Sequence, residues 1–525
     1  MVNGGGMYND QGSPTVANCV FLRNNAANSG GGMSNAQSDS VSVTNCSFIG
    51  NTASITGGGI SNYDSHGVIA GCTFSGNSIS DYFSGVGGGG LYLYLGTAMV
   101  TGCTFTENSA EISNGGNGGG IYSYSSDIRL EDCVLSGNAA YMRGGGMYLY
   151  KGSSEVAECT FSLNGAAEGG GIFNDQSSPA VTRSTFSENT GYRYYGGGMY
   201  NSQSSPSVEN CTFSRNTAQS EGGGMCNNQG SPSVVNCTFF ENSASDAGGG
   251  MANFNASRPV LVNCTFSGNS AEFAGGGIYN TSSSSPVLTN CILWDDSGGE
   301  IGNDSSSPAV SSCVIQGGYP GGTSIIAADP LLGTLAHNGG PTMTCALEAG
   351  SSAMDTGTLS GAPATDQRGV SRPQGKGLDI GAYEYAFSAT PVLLFPGDGA
   401  TGVPLELTLR TAAYEPPTGF SHFATRWQMG TEKGFESGLM LDETSESALT
   451  GLDVPEGTLE YGTTYFWRVR FQDSLGLWSG WSGTWSFTTV ERPSSPSSGG
   501  GCGASGFIPP MLLLLVPLFL FLRGR

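Results

Sequence analysis

Three consecutive glycines followed by an apolar residue recur eleven times in this chain, beginning at Gly4-Gly5-Gly6-Met7. The apolar residues are Met7, Met33, Ile60, Leu91, Ile121, Met147, Ile172, Met199, Met225, Met251 and Ile278, spaced mostly 25 to 27 apart with two gaps of about 30. A second motif, Cys-x-Phe-x-x-Asn, keeps step with the first, as at Cys46-Phe48-Asn51, Cys72-Phe74-Asn77, Cys211-Phe213-Asn216 and Cys264-Phe266-Asn269. Ser-Ser-Pro segments such as Ser205-Pro206 lie between them. A fixed period of this size marks a solenoid, a propeller or an array.

The residues between turns select among these. They come in runs of four to six rich in Val, Thr, Phe, Tyr and Ile, the composition of strands. No run carries an apolar 3.6-residue period long enough for a helix. A propeller blade needs ~40 residues. About 26 residues fit three short strands and three turns, one coil of a parallel β-helix. Twelve coils stacked ~4.8 Å apart make a rod of roughly 58 Å. In Val208-Glu209-Asn210-Cys211-Thr212-Phe213, Cys211 and Phe213 share a face by period two. Val208 joins them only if the chain bends at Glu209 or Asn210. Val208, Cys211 and Phe213 are therefore expected inside, Asn210 on the bend, and Asn216 with its equivalents in an amide ladder. The glycines are expected at a sharp corner that needs positive φ and close backbone approach.

Fourteen cysteines would suggest a disulfide framework in an exported protein. Eleven of them, from Cys19 to Cys313, instead occur once per coil at one position, and Ser184 takes that position between Cys159 and Cys211. A slot that accepts Ser calls for a small inward residue, so a ladder of buried thiols is expected.

Composition narrows the function. The chain is acidic, with a net charge of −23 and only three lysines, Lys151, Lys376 and Lys433. It repels phosphate backbones, which argues against nucleic acid as a partner. The three histidines, His66, His337 and His422, are isolated, so no catalytic triad or zinc site is readable. His66 reads as a turn residue. Calcium repeats of the Gly-Gly-x-Gly-x-Asp type are absent. Asn-Cys-Thr triplets match a glycosylation sequon but fall in packed segments. A uronate-cleaving site would need acidic residues on adjacent coils with a basic partner. The only acidic doublet near the end of the repeats is Asp295-Asp296, beside Trp294, with no Arg-x-Lys pair, and no same-face acidic cluster with a basic partner is expected across adjacent coils. The expectation is a protein without catalytic residues, metal or cofactor, and the alternative is a polysaccharide lyase or hydrolase.

The pairing of Gly-Gly-x-apolar with Phe-x-x-Asn resembles the repeats of polymorphic outer-membrane proteins and, more broadly, pectin-lyase-fold surface proteins. That resemblance covers residues 1–316 and implies an adhesin. No C-terminal β-barrel is apparent, so the autotransporter route of that family does not carry over. Residues 317–388 contain Ala328-Asp329-Pro330, His337-Asn338-Gly339-Gly340-Pro341, Thr365-Asp366-Gln367-Arg368-Gly369 and Asp379-Ile380-Gly381-Ala382-Tyr383-Glu384. These resemble the choice-of-anchor module of bacterial surface proteins, expected to cap the β-helix.

Residues 389–490 resemble a fibronectin type III domain, with Tyr465, Trp467 and Val469 on one strand face and Trp485-Ser486-Phe487-Thr488-Thr489 as the last strand. Trp478-Ser479-Gly480-Trp481-Ser482 is similar to a cytokine-receptor motif in which arginines, here Arg468 and Arg470, stack on the tryptophans. Residues 491–501 read as a Ser/Pro/Gly linker. Residues 502–525 hold a 16-residue apolar run, Phe507 to Leu522, before Arg523-Gly524-Arg525. This is short for a permanent span and would form a short apolar helix. With Gly499, Gly500, Gly501 and Cys502 in front of it and Arg523 and Arg525 behind, it resembles a CTERM-type sorting signal. That resemblance implies a membrane sorting or processing enzyme as a partner and display on the cell surface, in the outer membrane or outside the cell, toward an unknown glycan or protein ligand. The chain opens inside a repeat, without a signal peptide or a cap for the first coil, so a truncated sequence is expected. The whole reading is an all-β protein: a right-handed single-stranded parallel β-helix, then a fibronectin type III-like sandwich, then the apolar helix.

Overall fold

The structure, a computed structural model, describes residues 3–80, 87–112, 115–348, 350–374, 376–385, 390–414, 421–473 and 478–493. The C-terminal apolar run and the sorting residues Gly499, Gly500, Gly501, Cys502, Arg523 and Arg525 lie outside these residues. Among the described residues no helix occurs.

The repeats wind into a parallel β-helix of twelve stacked coils. Sheet 1 runs from Met7–Asp10 to Ile301–Asn303, sheet 2 from Thr15–Ala17 to Ala309–Ser311, and sheet 3 from Val20–Leu22 to Val314–Ile315, each with twelve strands. The expectation of three strands per coil needs correction. A fourth sheet of ten two-residue strands runs from Asn25–Ala26 to Ser270–Ala271. Two-residue strands carry no alternation, so they leave no periodic mark in the sequence.

Register is constant from coil to coil, and this places like residues over like. Val181 lies beside Val208 and Val208 beside Val234. Phe186, Phe213, Phe239 and Phe266 stack with centroids 4.5 to 4.8 Å apart and planes within 4°. Each is fully buried, contributing about 2–3 kcal/mol of apolar transfer. Val208, Cys211 and Phe213 are inside, and Asn210 turns the corner at φ 57°. Three atoms bind each Asn rung to the next. The Asn216 main-chain N–H donates to Asn242 Oδ1 at 3.0 Å, and Nδ2 donates to the same oxygen at 2.9 Å and to the Phe186 carbonyl at 2.9 Å. An interior second ladder runs along sheet 1 through Asn174, Asn201, Asn227, Asn253 and Asn280, with spacings of 2.8 to 2.9 Å.

The glycine corner is obligatory. Gly196 sits at φ 67°, and a β-carbon on Gly197 would lie 2.5 Å from the carbonyl oxygens of both Gly223 and Thr217. No L side chain fits there. The cysteine slot is equally regular. Cys46 N–H donates to Cys72 Sγ at 3.4 Å, and Cys72 N–H to Cys103 Sγ at 3.3 Å. Ser184 substitutes in kind, accepting from Cys159 N–H at 3.1 Å and donating to the Thr182 carbonyl at 2.8 Å. The thirteen described cysteines are all unpaired thiols, and all but Cys19 are buried.

Residues 329–385 lie as a strap along the outer face of sheet 3. Gln367 anchors it: Nε2 donates to Thr212 Oγ1 and Thr342 Oγ1, both at 2.9 Å, and Oε1 accepts from Thr238 Oγ1 at 2.7 Å. Asn236, Asn263 and Asn290, corner residues of successive coils, donate to Thr365, Asp379 and Thr358 carbonyls. The sequon asparagines Asn236 and Asn263 are thus buried beneath the strap. Two fully buried ion pairs hold the strap itself, Arg368–Asp366 at 2.7 Å and Arg372–Glu384 at 3.0 Å. Arg368 also lies 3.6 Å over the Tyr383 ring.

Further along, a three-stranded sheet (Leu393–Phe395, Thr408–Thr411, Gly451–Asp453) and a five-stranded sheet share one apolar core. The five strands are Ala400–Val403, Trp485–Thr489, Thr464–Asp473, His422–Gly430 and Leu439–Ser445. Tyr465, Trp467 and Val469 point into that core. On the other side Arg468 lies 4.3 Å over Trp481, and Arg470 lies 4.7 Å over Trp478.

Candidate functional site

The outer side of sheet 1 carries a group of stacked aromatic and charged side chains. Alternation along Leu91–Tyr94, Ile121–Tyr124 and Met147–Tyr150 sends the first and third residues inward and the tyrosines outward. Constant register then builds two aromatic columns. One runs through Tyr92, Tyr122, Tyr148, Phe173 and Tyr200 at 4.7 to 5.6 Å, and the other through Tyr63, Tyr94, Tyr124 and Tyr150 at 4.7 to 5.1 Å.

Charged residues gather at Phe173. Arg143 Nε donates to Glu168 Oε2 and its NH1 to Asp175 Oδ2, both at 3.3 Å. Tyr148 donates its hydroxyl to the same Asp175 oxygen at 3.1 Å. The Arg143 guanidinium lies 4.9 Å from the Phe173 centroid. Burial pushes Glu168 above the usual carboxylate range, and Arg143 opposes that rise. Burial likewise pushes the Tyr148 phenol up.

This group corrects the expectation that no same-face acidic cluster with a basic partner spans adjacent coils. Glu168 and Asp175 are 25 and 32 residues from Arg143. Only the pairing of Met147–Tyr150 with Ile172–Asp175 brings Tyr150 beside Asp175. The readable signal was the column rule itself: residues one period apart are neighbours. Chemically, the cluster is satisfied from within. Arg143 is held by two carboxylates, and Asp175 accepts two donors, so neither acid is poised over open space as a general acid or base.

The acidic doublet has a different place. Asp295 is exposed, while Asp296 is the last rung of the amide ladder, 7% exposed. Asp296 Oδ1 accepts from Asn269 N–H at 2.7 Å and Asn269 Nδ2 at 2.8 Å. Its own N–H donates to Glu300 Oε1 at 3.3 Å. Asp296 Oδ2 and Glu300 Oε2 are buried without a hydrogen-bond partner. His66, expected in a turn, begins the strand His66–Ala70 and bonds Thr97 Oγ1 through Nδ1 at 2.8 Å. Among the described residues no group of three or more His, Cys, Asp or Glu could hold a metal ion.

No curated protein matches the sequence. Solved structures similar to part of the chain include an α-L-rhamnosidase from Dictyoglumus thermophilum, at 19% identity over 20% of this chain and 12% of that one, with a TM-score of 0.18. Another is a Streptomyces avermitilis α-L-rhamnosidase complexed with L-rhamnose, at 19% identity over 20% of this chain and 10% of that one, with a TM-score of 0.16. The matched parts span about a tenth of those proteins, and likenesses at these scores carry no argument about this one. The family model described as "Right handed beta helix region" matches residues 96–256 and 236–338. With the stacked parallel sheets, that match makes the coil region a right-handed parallel β-helix.

Proposed function

We propose that this is a non-catalytic protein of the bacterial cell surface, an adhesin or structural stalk that presents its β-helix to a glycan or protein ligand. The observation that carries the reading is the outer face of sheet 1, where ordered aromatic columns surround an Arg143 already held by Glu168 and Asp175. The exposed to half-buried column Tyr63, Tyr94, Tyr124 and Tyr150 offers contact area with little conformational entropy left to lose, and the acids of this face are engaged with Arg143. The strap in 317–388 serves as an anchor module, 389–490 as a fibronectin type III-like spacer, and 491–501 as linker. The tail is processed or lipidated at or near Cys502. The Arg–Trp stack of the spacer stabilises its surface without a receptor role.

A glycan and protein array probed with the purified chain tests the binding reading, and silence on both arms would leave only a stalk. Mass spectrometry of the mature C-terminus from the native host tests the tail, and an intact chain ending at Arg525 would reduce it to a plain anchor. The second reading, a polysaccharide lyase or hydrolase, draws on the buried carboxyl pair Asp296 and Glu300, since displaced carboxyl pKa values cluster at catalytic sites. Turnover of uronate polysaccharides abolished by Asp295→Ala or Asp296→Ala would establish that reading.

A further inference from the structure

The fourth sheet lines a trough. Its last four two-residue strands each give one hydroxyl residue and one glycine or alanine, in fixed register. Thr190 pairs with Thr217, Thr217 with Ser243 and Ser243 with Ser270, while Gly191, Ala218, Ala244 and Ala271 follow alongside. A bridge between Ser270 and Ser297 extends the column by one coil. The resulting cavity of about 730 Å³ is open to solvent. It spans five coils, about 19 Å at the usual strand spacing.

The same trough exists upstream, but the chain fills it there. Ile79, at the position of Ala53 in the preceding coil, packs with Ile112 over Ala110, Ala140 and Ala166. Tyr192 closes the boundary. Its hydroxyl donates to the Ala140 carbonyl at 2.7 Å, with the Tyr141 carbonyl at 3.0 Å, and its ring lies over Gly165. Downstream of Tyr192 nothing from the described residues enters the trough. Two exposed aromatics, Tyr194 at 49% and Phe273 at 76%, stand on the adjoining corner.

We infer that this trough is a binding site for an extended, uncharged glycan chain, an inference that rests on the surface-binding reading above and adds to it a ligand surface distinct from the outer face of sheet 1. The lining supports that class in three ways. It offers about one hydroxyl per coil, a spacing close to the length of one sugar residue in an extended chain. Its floor of glycine and alanine leaves room for a ring at each step, and Tyr192 supplies an aromatic wall at one end. Its one charged side chain is Glu272, on a chain of net charge −23, so an anionic glycan is repelled. An extended peptide would need a free sheet edge for its main-chain groups, and the trough is a sheet face whose backbone is already paired.

The test uses the full chain and a fill variant, Ala218→Ile/Ala244→Ile/Ala271→Ile, which repeats the side chain the fold already holds at Ile79. Unchanged thermal unfolding and circular dichroism establish that the variant is folded. Titration calorimetry is run with β-1,4-linked hexasaccharides of glucose, mannose and xylose, with hexagalacturonate, and with a Gly/Ser octapeptide. The expected result is binding of at least one neutral hexasaccharide, at least tenfold weaker binding of hexagalacturonate, and a loss of at least tenfold in the fill variant. Val260→Ser, on the outer face of sheet 2, should bind as the parent does. Equal binding by parent and fill variant would overturn the site while leaving the surface-binding reading intact. Tighter binding of hexagalacturonate or of the peptide would overturn the ligand class. No hexasaccharide binding by the parent would overturn the inference, and a protein ligand on the array would then carry the adhesin reading alone.

Discussion

Asp296 receives both the main-chain and the side-chain N–H of Asn269, at 2.7 and 2.8 Å, so the amide ladder ends in a carboxyl group. Burial, and then the nearby Glu300, hold Asp296 well above the usual carboxylate range, and burial raises Glu300 as well. A carboxyl whose folded pKa exceeds its unfolded value contributes stability that is complete below about pH 4 and is lost as pH rises through the folded value. The melting temperature should therefore fall as pH rises from acid toward alkaline. Burial also pushes Asp379 up to about 6 and Glu384 up to about 7, which adds a fall of the same sign from about pH 4 upward through those values. Asp296→Asn isolates the ladder's share. In the preceding rung Asn269 Nδ2 reaches the Phe239 carbonyl at 3.0 Å, and an amide at 296 is placed to repeat that bond with Phe266. The variant should gain about 1–3 kcal/mol at pH 8 and little at pH 4. A scan of melting temperature against pH for both proteins decides it; equal slopes would show that the pair does not titrate.

The ladder that holds Asn216 makes a harsher prediction. Asn216→Ala removes an acceptor of two N–H groups from Asn189 and two donations of its own side chain, all buried. Leaving such groups unpaired should cost about 3–5 kcal/mol. Urea unfolding should show the midpoint drop with an unchanged m-value if the stack stays cooperative.

Thiol chemistry follows from the cysteine column. In the native protein a thiol reagent should react at Cys19, the one exposed thiol among the thirteen described, while denaturation without reductant should release all thirteen. Mild alkali should not unmask Cys103: the neighbouring Cys133 thiol and burial push it up to about 12. Cys211→Ser should cost less than Cys211→Val, because Ser184 already shows how a hydroxyl is satisfied in that slot. Recovery of mostly disulfide-linked pairs would refute the column as a set of free thiols.

Two glycines separate backbone strain from contact: Gly76 has a positive φ in open space, and Gly197 has none but is hemmed in by neighbouring coils. Gly76 sits at φ 60° with nothing within 4 Å of an added β-carbon, so Gly76→Ala should cost about 1–2 kcal/mol. Gly197→Ala places its β-carbon 2.5 Å from two carbonyl oxygens of neighbouring coils and should cost well over 4 kcal/mol or block folding. Comparing soluble yield and melting temperature of the two variants checks the contrast.

How much of this was legible follows one line: whatever repeats could be read, and whatever depends on a single contact could not. The bend at Asn210, the inward set Val208, Cys211 and Phe213, and the Asn216 ladder all follow from period and alternation. Gln367 could not be placed, because its partners Thr212 and Thr238 lie 155 and 129 residues away. Nothing in its neighbourhood marks it as the pin of a strap. The Arg143 cluster stood in between. Its residues are one coil apart, yet charged side chains do not repeat along the columns, so the period alone did not single them out.

The constancy of register also makes the coil a unit of length. Each rung offers its neighbour the same carbonyls, amides and rings, so the joint between two coils does not depend on which two they are. Removing residues 185–211 would join Ser184 directly to Thr212, a junction chemically equivalent to Cys211–Thr212, and would set Phe161 against Phe213 in place of Phe186. The rod would shorten by ~4.8 Å with the strap's side-chain contacts to Thr212 and Thr238 untouched. A gene with this architecture can change the reach of its product in discrete steps, by duplication or loss of a segment, without having to solve the folding problem again.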